Sequence, residues 1–348
     1  MKQARKDPST PAGRRPVLRM TKRFDVVTVG AATRDVFVKS KHFEKRKDAH
    51  APDGYDACFP MGAKIPVDEM IFETGGGATN AAVTFSRFGL KTACITRVGD
   101  DVGGREIKQL LKDARIDTLG VQTDKKAKTA YSVILLSGTG SRAILVARGA
   151  SKDLDQKTIP WQKLDAAWTY LTSVAGNPKI LDDVFKQARL KRGHVAWNPG
   201  NAEIEMGLKK LLPHLMQTDI LILNRDEAAA LALTSLRDLQ GMLKKLGALP
   251  RLCLVITDGA HGAYVHARGA TWFAGPLKGK VINTTGAGDA FGSAFCSAVA
   301  KAWDLETALK AGTLNAFGVV THMGAKAGIL KAFPTKKELG KVKIRLVP

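Results

Sequence analysis

The chain has few of the features that mark secreted, membrane-bound or zinc-binding proteins. Its four cysteines are scattered and include no C-x-x-C pair, which argues against a disulfide framework or a zinc site and favours a reducing compartment. No apolar run approaches the roughly 20 residues that span a bilayer, and no segment resembles the apolar core of a secretory signal. We therefore expect a cytoplasmic protein with no membrane partner.

Two common nucleotide-binding sequences are also absent. The chain contains no G-x-x-x-x-G-K-S/T segment, which excludes a P-loop enzyme. Its first apolar run, Phe24–Ala31, leads to Asp35 without a G-x-G-x-x-G turn, which removes most of the case for a nicotinamide-dependent oxidoreductase.

Positive charge is abundant but concentrated at the two ends of the chain. The net charge is +22, of which residues 1–23 carry +7 and residues 331–348 carry +5. We expect residues 1–23 to be a disordered basic arm and residues 335–348 to be a basic tail. No zinc-finger spacing or aromatic-basic motif predicts specific nucleic-acid recognition, although a basic arm can bind phosphates weakly.

Between these ends, strand-like runs alternate with helical patterns. The strands include Thr92–Val98 and Ile220–Leu223, and the helices include Glu203–His214 and Ala290–Ala302. This alternation predicts a doubly wound, mostly parallel α/β sheet flanked by helices, with ligands at the carboxyl ends of the strands. We expect one site where loops after the strands converge, formed by Asp35, Gly75–Asn80, Asn198, Asn224–Glu227, Thr257–Gly259 and Gly286–Asp289.

The segment Asn283–Phe291 (NTTGAGDAF) carries the most specific chemistry. Glycines at a helix start let an anion approach several peptide N–H groups. A carboxylate such as Asp289 fits beside a phosphate site if it takes a proton from an attacking hydroxyl. Taken alone, the segment fits a plain helix cap equally well.

Three segments occur in an informative order: Gly75–Asn80 (GGGATN), Arg97–Gly103 (RVGDDVG) and Asn283–Phe291. Together they resemble the two signature regions of the PfkB (ribokinase-like) family of carbohydrate and nucleoside kinases. The resemblance runs over about residues 24–334. It implies a ribokinase-like fold and phosphoryl transfer from ATP, with Mg²⁺, to an alcohol group.

The resemblance also implies a role for individual residues. Asp289 falls on the family's general base, and its neighbours Gly286, Ala287 and Gly288 fall on the anion hole. The residues that fall on the acceptor site are Asp35, Gly76, Gly77 and Asn80.

On the nucleotide side, Asn224 and Glu227 match a family N-x-x-E motif that orders phosphate and Mg²⁺, the Glu largely through water. No direct protein ligand for the metal is therefore expected. The remaining positions that resemble ATP-binding residues are Thr257, Gly259, Gly262, Thr285 and Asn315.

The resemblance further implies a small β lid over the acceptor, built from about residues 36–74 and 130–147. Its closure would exclude water and limit ATP hydrolysis. Residues 39–65 are longer than a minimal lid requires, so we expect them either to extend it or to mediate a homodimer through it.

The acceptor itself stays open at this point. A sugar such as ribose or fructose is our first expectation, and a nucleoside such as adenosine is the second. Arg34 and Arg97 could serve a sugar-phosphate acceptor. A non-catalytic, RNA-associated protein on the same fold is the alternative of a different class, against which the intact Asp289 segment argues.

One departure from the family pattern generates a prediction. Asn283 stands where the family most often has an Asp, which helps to build a potassium site in cation-activated members. Because the neutral amide lacks that charge, we expect little difference in rate between potassium and tetramethylammonium buffers, measured as ADP release. A large potassium stimulation would contradict this.

Overall fold

The computed structural model describes residues 23–49, 54–137 and 142–347. Nearly all of the basic N-terminal arm, and the turn predicted at residues 137–140 apart from Ser137, lie outside these ranges. The strands in the described part are β1 (Phe24–Val29), β2 (Thr33–Ser40), β3 (Glu44–Lys47), β4 (Tyr55–Cys58), β5 (Glu69–Gly75), β6 (Thr92–Gly99), β7 (Asp117–Asp124), β8 (Ala130–Ser137), β9 (Arg142–Ala147), β10 (Ala166–Leu171), β11 (His194–Trp197), β12 (Ile220–Asn224), β13 (Cys253–Thr257), β14 (Ala263–Ala267), β15 (Ala270–Ala274) and β16 (Ile344–Val347). The helices are α1 (Gly77–Arg87), α2 (Val102–Asp113), α3 (Pro178–Leu190), α4 (Asn201–Ile204), α5 (Leu208–Leu215), α6 (Arg225–Ala232), α7 (Leu239–Leu246), α8 (Ala287–Ala300), α9 (Leu305–Val320) and α10 (Lys336–Leu339).

The large sheet has ten strands in the order β16-β15-β14-β13-β12-β11-β10-β1-β6-β7. The seven strands from β13 to β7 in this order are parallel, and β14, β15 and β16 add an antiparallel edge. The central strands are short apolar runs, as expected for strands that helices cover on both faces. The predicted doubly wound, mostly parallel architecture is confirmed.

A second, four-stranded sheet has the order β5-β2-β8-β9, and we call it the lid sheet. The β8–β9 pairing confirms the predicted hairpin. Asp35 was expected in a loop after β1 but lies inside β2, because the chain pairs with β5 and β8 as soon as it leaves the large sheet. Part of the 39–65 excursion forms its own two-stranded hairpin, β3–β4.

Three other expectations need correction. The single helix predicted at Glu203–His214 is divided into α4 and α5, because Gly207 (φ 80°) starts a new helix in a backbone conformation that a continuous helix excludes. Residues 286–289 do not directly follow a strand, and α8 begins at Ala287 rather than Ala290. Residues 335–347 join the sheet through α10 and β16 instead of trailing from it, and they bury Leu339 and Val342.

Gly262 provides a test of the packing around β14. Its φ is +111°, and a Cβ there would clash with the carbonyl oxygen of Ala274 in β15, whereas Gly269 (φ +77°) has open space around it. We expect Gly269→Ala to lower the free energy of unfolding by about 1 kcal/mol through backbone strain alone. Gly262→Ala should lower it by about 3 kcal/mol or more, because overpacking adds to the strain. Chemical denaturation of both variants measures their free energies of unfolding. An equal decrease in both would contradict the close contact between Gly262 and Ala274.

Candidate active site

The N-terminal ends of α1 and α8 meet through their side chains. Asn80 Nδ2, in the first turns of α1, donates a 2.8 Å hydrogen bond to Asp289 Oδ2 in the first turn of α8. The two residues are 209 positions apart in the chain. Two signature segments recognised separately in the sequence thus form one site.

The start of α8 has no side-chain cap, and the N–H of Ala287 donates a 3.3 Å hydrogen bond to the carbonyl oxygen of Thr284. Gly286 precedes the helix with φ 80°, and a Cβ at this position would lie 2.6 Å from Cβ of Ala325, so only glycine fits. No side chain caps α8, although Asp304 caps α9. First-turn N–H groups of a helix lack helical partners and carry partial positive charge. Gly288 has no atom near its missing Cβ, which leaves room for an approaching phosphate.

The glycines before α1 are packed against protein. A Cβ on Gly76 would clash with the carbonyl oxygen of Ala31, and one on Gly77 would lie 2.9 Å from Cβ of Thr172. Both glycines therefore bring α1 against the ends of β1 and β10. Close packing thus explains why these two positions are glycine. The sequence had suggested instead that Gly76 and Gly77 let the acceptor approach the backbone.

The lid sheet brings two further carboxylates to the site. Asp35 is buried in β2, and its Oδ1 accepts a 2.8 Å hydrogen bond from the hydroxyl of Thr33. Glu73 lies directly opposite Asp35 on the neighbouring strand β5. Burial raises the pKa of Glu73, and the charge of Asp35 raises it further, against the opposing effect of Lys326.

The surroundings of Asp289 shift its pKa in both directions. Burial raises its pKa above the ordinary Asp value, and the nearby Asp35 contributes in the same direction. The hydrogen bond from Asn80 and the charge of Lys326 oppose this rise. The amide oxygen of Asn80, Oδ1, is buried and has no hydrogen-bond partner among the described residues. It can therefore accept a hydrogen bond from a ligand hydroxyl.

Lys326 is a site residue that the sequence analysis missed. It follows α9, is only 5% exposed, and donates a 2.5 Å hydrogen bond to the carbonyl oxygen of Thr74. Burial lowers its pKa to about 8, although Asp35, Asp289 and Glu73 favour its charged form. The signal in the sequence was a single lysine within the small-residue stretch Gly324–Gly328.

A cavity of about 840 Å³ adjoins this cluster, between β5 and the helices α1 and α2. Glu73 and Lys326 line it, whereas Asp289, Asp35 and Asn80 do not. The cavity therefore lies beside the pair formed by Asp289 and Asn80 rather than containing it.

On the proposed nucleotide side, Asn224 and Glu227 form a capping box at the start of α6. Asn224 Oδ1 accepts from the Glu227 N–H at 2.7 Å, and Glu227 Oε2 accepts from the Asn224 N–H at 2.8 Å. Burial, together with the charges of Asp226 and Asp289, raises the pKa of Glu227 to about 7. The carboxyl group is therefore both a helix cap and part of the electrostatic environment of Asp289.

The next loop lies beside this cap. Thr257 ends β13 directly opposite Asn224, and Arg225 pairs with Asp258 at 2.5 Å. Gly259 adopts φ 51° with open space around it. These residues form one edge where β12 and β13 end.

Two of the predicted site residues serve the protein interior. Asn315 donates to the carbonyl oxygen of Ala290 (2.8 Å) and to the Thr84 hydroxyl (3.3 Å), and it accepts from the Leu330 N–H (2.9 Å). Its side chain thus links α9 to α8 and α1 instead of facing a nucleotide. Asn198 similarly donates to the carbonyl oxygen of Ile222 at 3.0 Å.

The segment before α8 contains two buried polar atoms without partners among the described residues, Asn283 Nδ2 and the Thr285 hydroxyl oxygen. Asn283 is buried, and its Oδ1 accepts a hydrogen bond from the Thr285 N–H at 3.1 Å. Because Oδ1 points toward Thr285 N, the other amide atom of Asn283, Nδ2, points away from it. Nδ2 is a donor without a partner in the described part of the chain. The Thr285 hydroxyl is also buried without a partner there. A free amide donor can pair with an acceptor such as a phosphate oxygen.

Comparison with known proteins identifies the family. The model of the pfkB family of carbohydrate kinases matches residues 26–332. The chain belongs to this family. A ribokinase of Haemophilus influenzae is 28% identical over 76% of this chain and 85% of that enzyme. A 5-dehydro-2-deoxygluconokinase of Bacillus licheniformis is 28% identical over 91% of this chain and 95% of that enzyme. The protein is a carbohydrate kinase, and these relatives support a sugar kinase of the pfkB family.

Solved structures show the same fold. Arabidopsis thaliana ribokinase, complexed with ribose and ATP, has a TM-score of 0.73 at 20% identity over 91% of this chain and 98% of that one. The Methanocaldococcus jannaschii nucleoside kinase has a TM-score of 0.71 at 20% identity over 92% of this chain and 98% of that one.

Within the described ranges, no helix is long and apolar enough to cross a membrane.

The Asn80–Asp289 bond predicts a change in pH dependence. A carboxylate must be ionised to take a proton, so the role expected of Asp289 from the sequence predicts that kcat/KM rises with pH through the pKa of Asp289. Asn80→Ala removes a hydrogen bond that lowers this pKa, so the acid limb should move to higher pH. Asn201→Ala, at the exposed start of α4, is the matched control and should leave the limb in place. If the acid limb of the pH profile is unchanged in Asn80→Ala, the hydrogen bond from Asn80 does not control the pKa of Asp289.

Proposed function

We propose that the protein transfers the γ-phosphate of ATP to an alcohol group of a sugar, with Asp289 as the general base. The observation that carries this proposal is the position of Asp289: it lies in the uncapped first turn of α8 and is hydrogen-bonded to Asn80. Phosphate and hydroxyl can therefore be held next to one carboxylate.

In this mechanism the acceptor hydroxyls bind to Asp35 and to the unpartnered Oδ1 of Asn80. Asp289 orients the reacting hydroxyl in line with the phosphate and takes its proton. Peptide N–H groups of Gly286, Ala287 and Gly288 stabilise the charge of the phosphoryl group as it moves. Such preorganised donors usually supply the largest share of this type of catalysis.

ATP would lie along the edge formed by Asn224, Glu227, Thr257, Gly259 and Thr285. The unpartnered hydroxyl of Thr285 can donate to a phosphate oxygen. When bound, Mg²⁺ would neutralise phosphate charge, and a water held by Glu227 would contact it. In the described residues no group of three or more His, Cys, Asp or Glu side chains could hold a metal ion.

A sugar is the acceptor that the relatives favour, because ribokinase, fructokinase and 5-dehydro-2-deoxygluconokinase are among them. A nucleoside remains the second candidate, on the structural likeness to nucleoside and adenosine kinases. A sugar phosphate fits less well, since Arg34 pairs with Glu106 at 2.5 Å and Arg97 with Asp124 at 2.8 Å.

We also retain a homodimer through the lid sheet and a cytoplasmic location as proposals. Large apolar side chains are exposed on this sheet, among them Phe72, Leu145 and Val146. Exposed apolar patches of this kind often mark protein interfaces.

The proposal is tested by an ADP-release screen over sugars, nucleosides and sugar phosphates. We expect Asp289→Asn to lower kcat by about a thousandfold on the best acceptor, the usual order for losing a general base. Asp304→Asn is the matched control, because Asn caps a helix as well as Asp and α9 begins away from the site. Full activity in Asp289→Asn would refute the mechanism.

A further inference from the structure

Lys326 is a buried ammonium group that the proposed reaction does not require as a ligand. Its Nζ donates to the carbonyl oxygen of Thr74, where β5 ends before α1. Among the described residues, no carboxylate lies within the 4.0 Å of an ion pair with it. Its charge therefore acts on its surroundings through the electrostatic field.

The titratable groups around Lys326 come from four elements. Asp35 lies on β2, Glu73 on β5, Asp289 in α8 and the buried thiol of Cys94 on β6. A second cation approaches from α1, where the guanidinium of Arg87 donates to the carbonyl oxygens of Ile329 (2.6 Å) and Lys326 (3.4 Å). The segment that carries Lys326 packs against two of these elements. A Cβ at Gly286, before α8, would lie 2.6 Å from Cβ of Ala325, and a Cβ at Gly324 would lie 2.9 Å from Cγ of Glu73 on β5.

This arrangement poses a physical problem for a general base. Loss of hydration and the charge of Asp35 both favour the protonated form of Asp289. A protonated Asp289 cannot accept the hydroxyl proton. Lys326 acts in the opposite direction, and because its own pKa is about 8, it is charged at acidic pH.

We propose that Lys326 is a positioning residue whose buried ammonium group keeps Asp289 in its carboxylate form beside the carboxylates of the lid sheet. Its role in the reaction rests on the proposed function, whereas its effect on the titration of Asp289 does not. Lys326 touches neither the acceptor nor ATP in this mechanism.

Three substitutions separate charge from hydrogen bonding. Lys326→Met removes both the charge and the bond to Thr74. Lys326→Gln removes the charge but keeps an amide donor for Thr74, and Lys326→Arg keeps the charge. If the charge of Lys326 controls the titration of Asp289, the Lys326→Met and Lys326→Gln variants should behave alike. The Lys326→Arg variant should then resemble the wild type.

The first measurement is the titration of Asp289 by NMR in protein labelled with ¹³C at the Asp carboxyl groups, with the signal assigned by its loss in Asp289→Asn. We expect its midpoint to move upward in Lys326→Gln and Lys326→Met and to stay near the wild-type value in Lys326→Arg. An unmoved midpoint in the folded Gln variant overturns the proposal. If the Met variant fails to fold, as thermal unfolding would show, the Gln and Arg variants still decide.

The second measurement is the pH profile of kcat/KM for the same proteins. We expect Lys326→Gln to lose about tenfold on the acid limb, the size typical of removing a nearby opposite charge, and to recover at alkaline pH. A uniform loss at all pH values would indicate a structural role instead. Absence of activity in the wild type would contradict the proposed function, and the NMR titration would still test Lys326.

Discussion

The hydrogen bond between Asn80 and Asp289 is the interaction on which the site depends. It joins the starts of two helices that belong to opposite ends of the domain sequence. Both helices begin at glycines that the surrounding backbone or side chains crowd, Gly76 and Gly286. Close packing therefore places the amide of Asn80 in hydrogen-bonding contact with the carboxylate of Asp289, in the uncapped first turn of α8. Phosphate binding and proton removal need this proximity.

The same packing brings several acidic groups into a poorly hydrated space. Asp289, Glu73 and Glu227 all have raised pKa values for this reason. Isolated buried charges are unfavourable unless opposite charges or hydrogen bonds compensate them. Lys326 and the amide of Asn80 provide that compensation at Asp289. The pKa of Asp289 thus reflects a balance between burial and Asp35, which favour the protonated form, and Lys326 and Asn80, which favour the carboxylate.

Much of the fold followed from local patterns, and the site followed only in part. Apolar runs alternating with helical patterns predicted the parallel sheet, and the segment Asn283–Phe291 predicted phosphoryl transfer, which stays a prediction. Lys326 was missed because its importance arises only when the loop after α9 packs against β5. Asn315 was assigned to ATP because the sequence does not show that three interior groups already use its side chain. The break at Gly207 was missed because the apolar pattern continues across it.

The most direct test of the account is a crystal structure with an ATP analogue and the best acceptor bound. We predict that the reacting hydroxyl oxygen lies within hydrogen-bonding distance of Asp289, about 2.6–3.2 Å, with the terminal phosphate at the N–H groups of residues 286–288. An acceptor bound away from Asp289, for example wholly within the cavity between β5 and α2, would contradict the central claim.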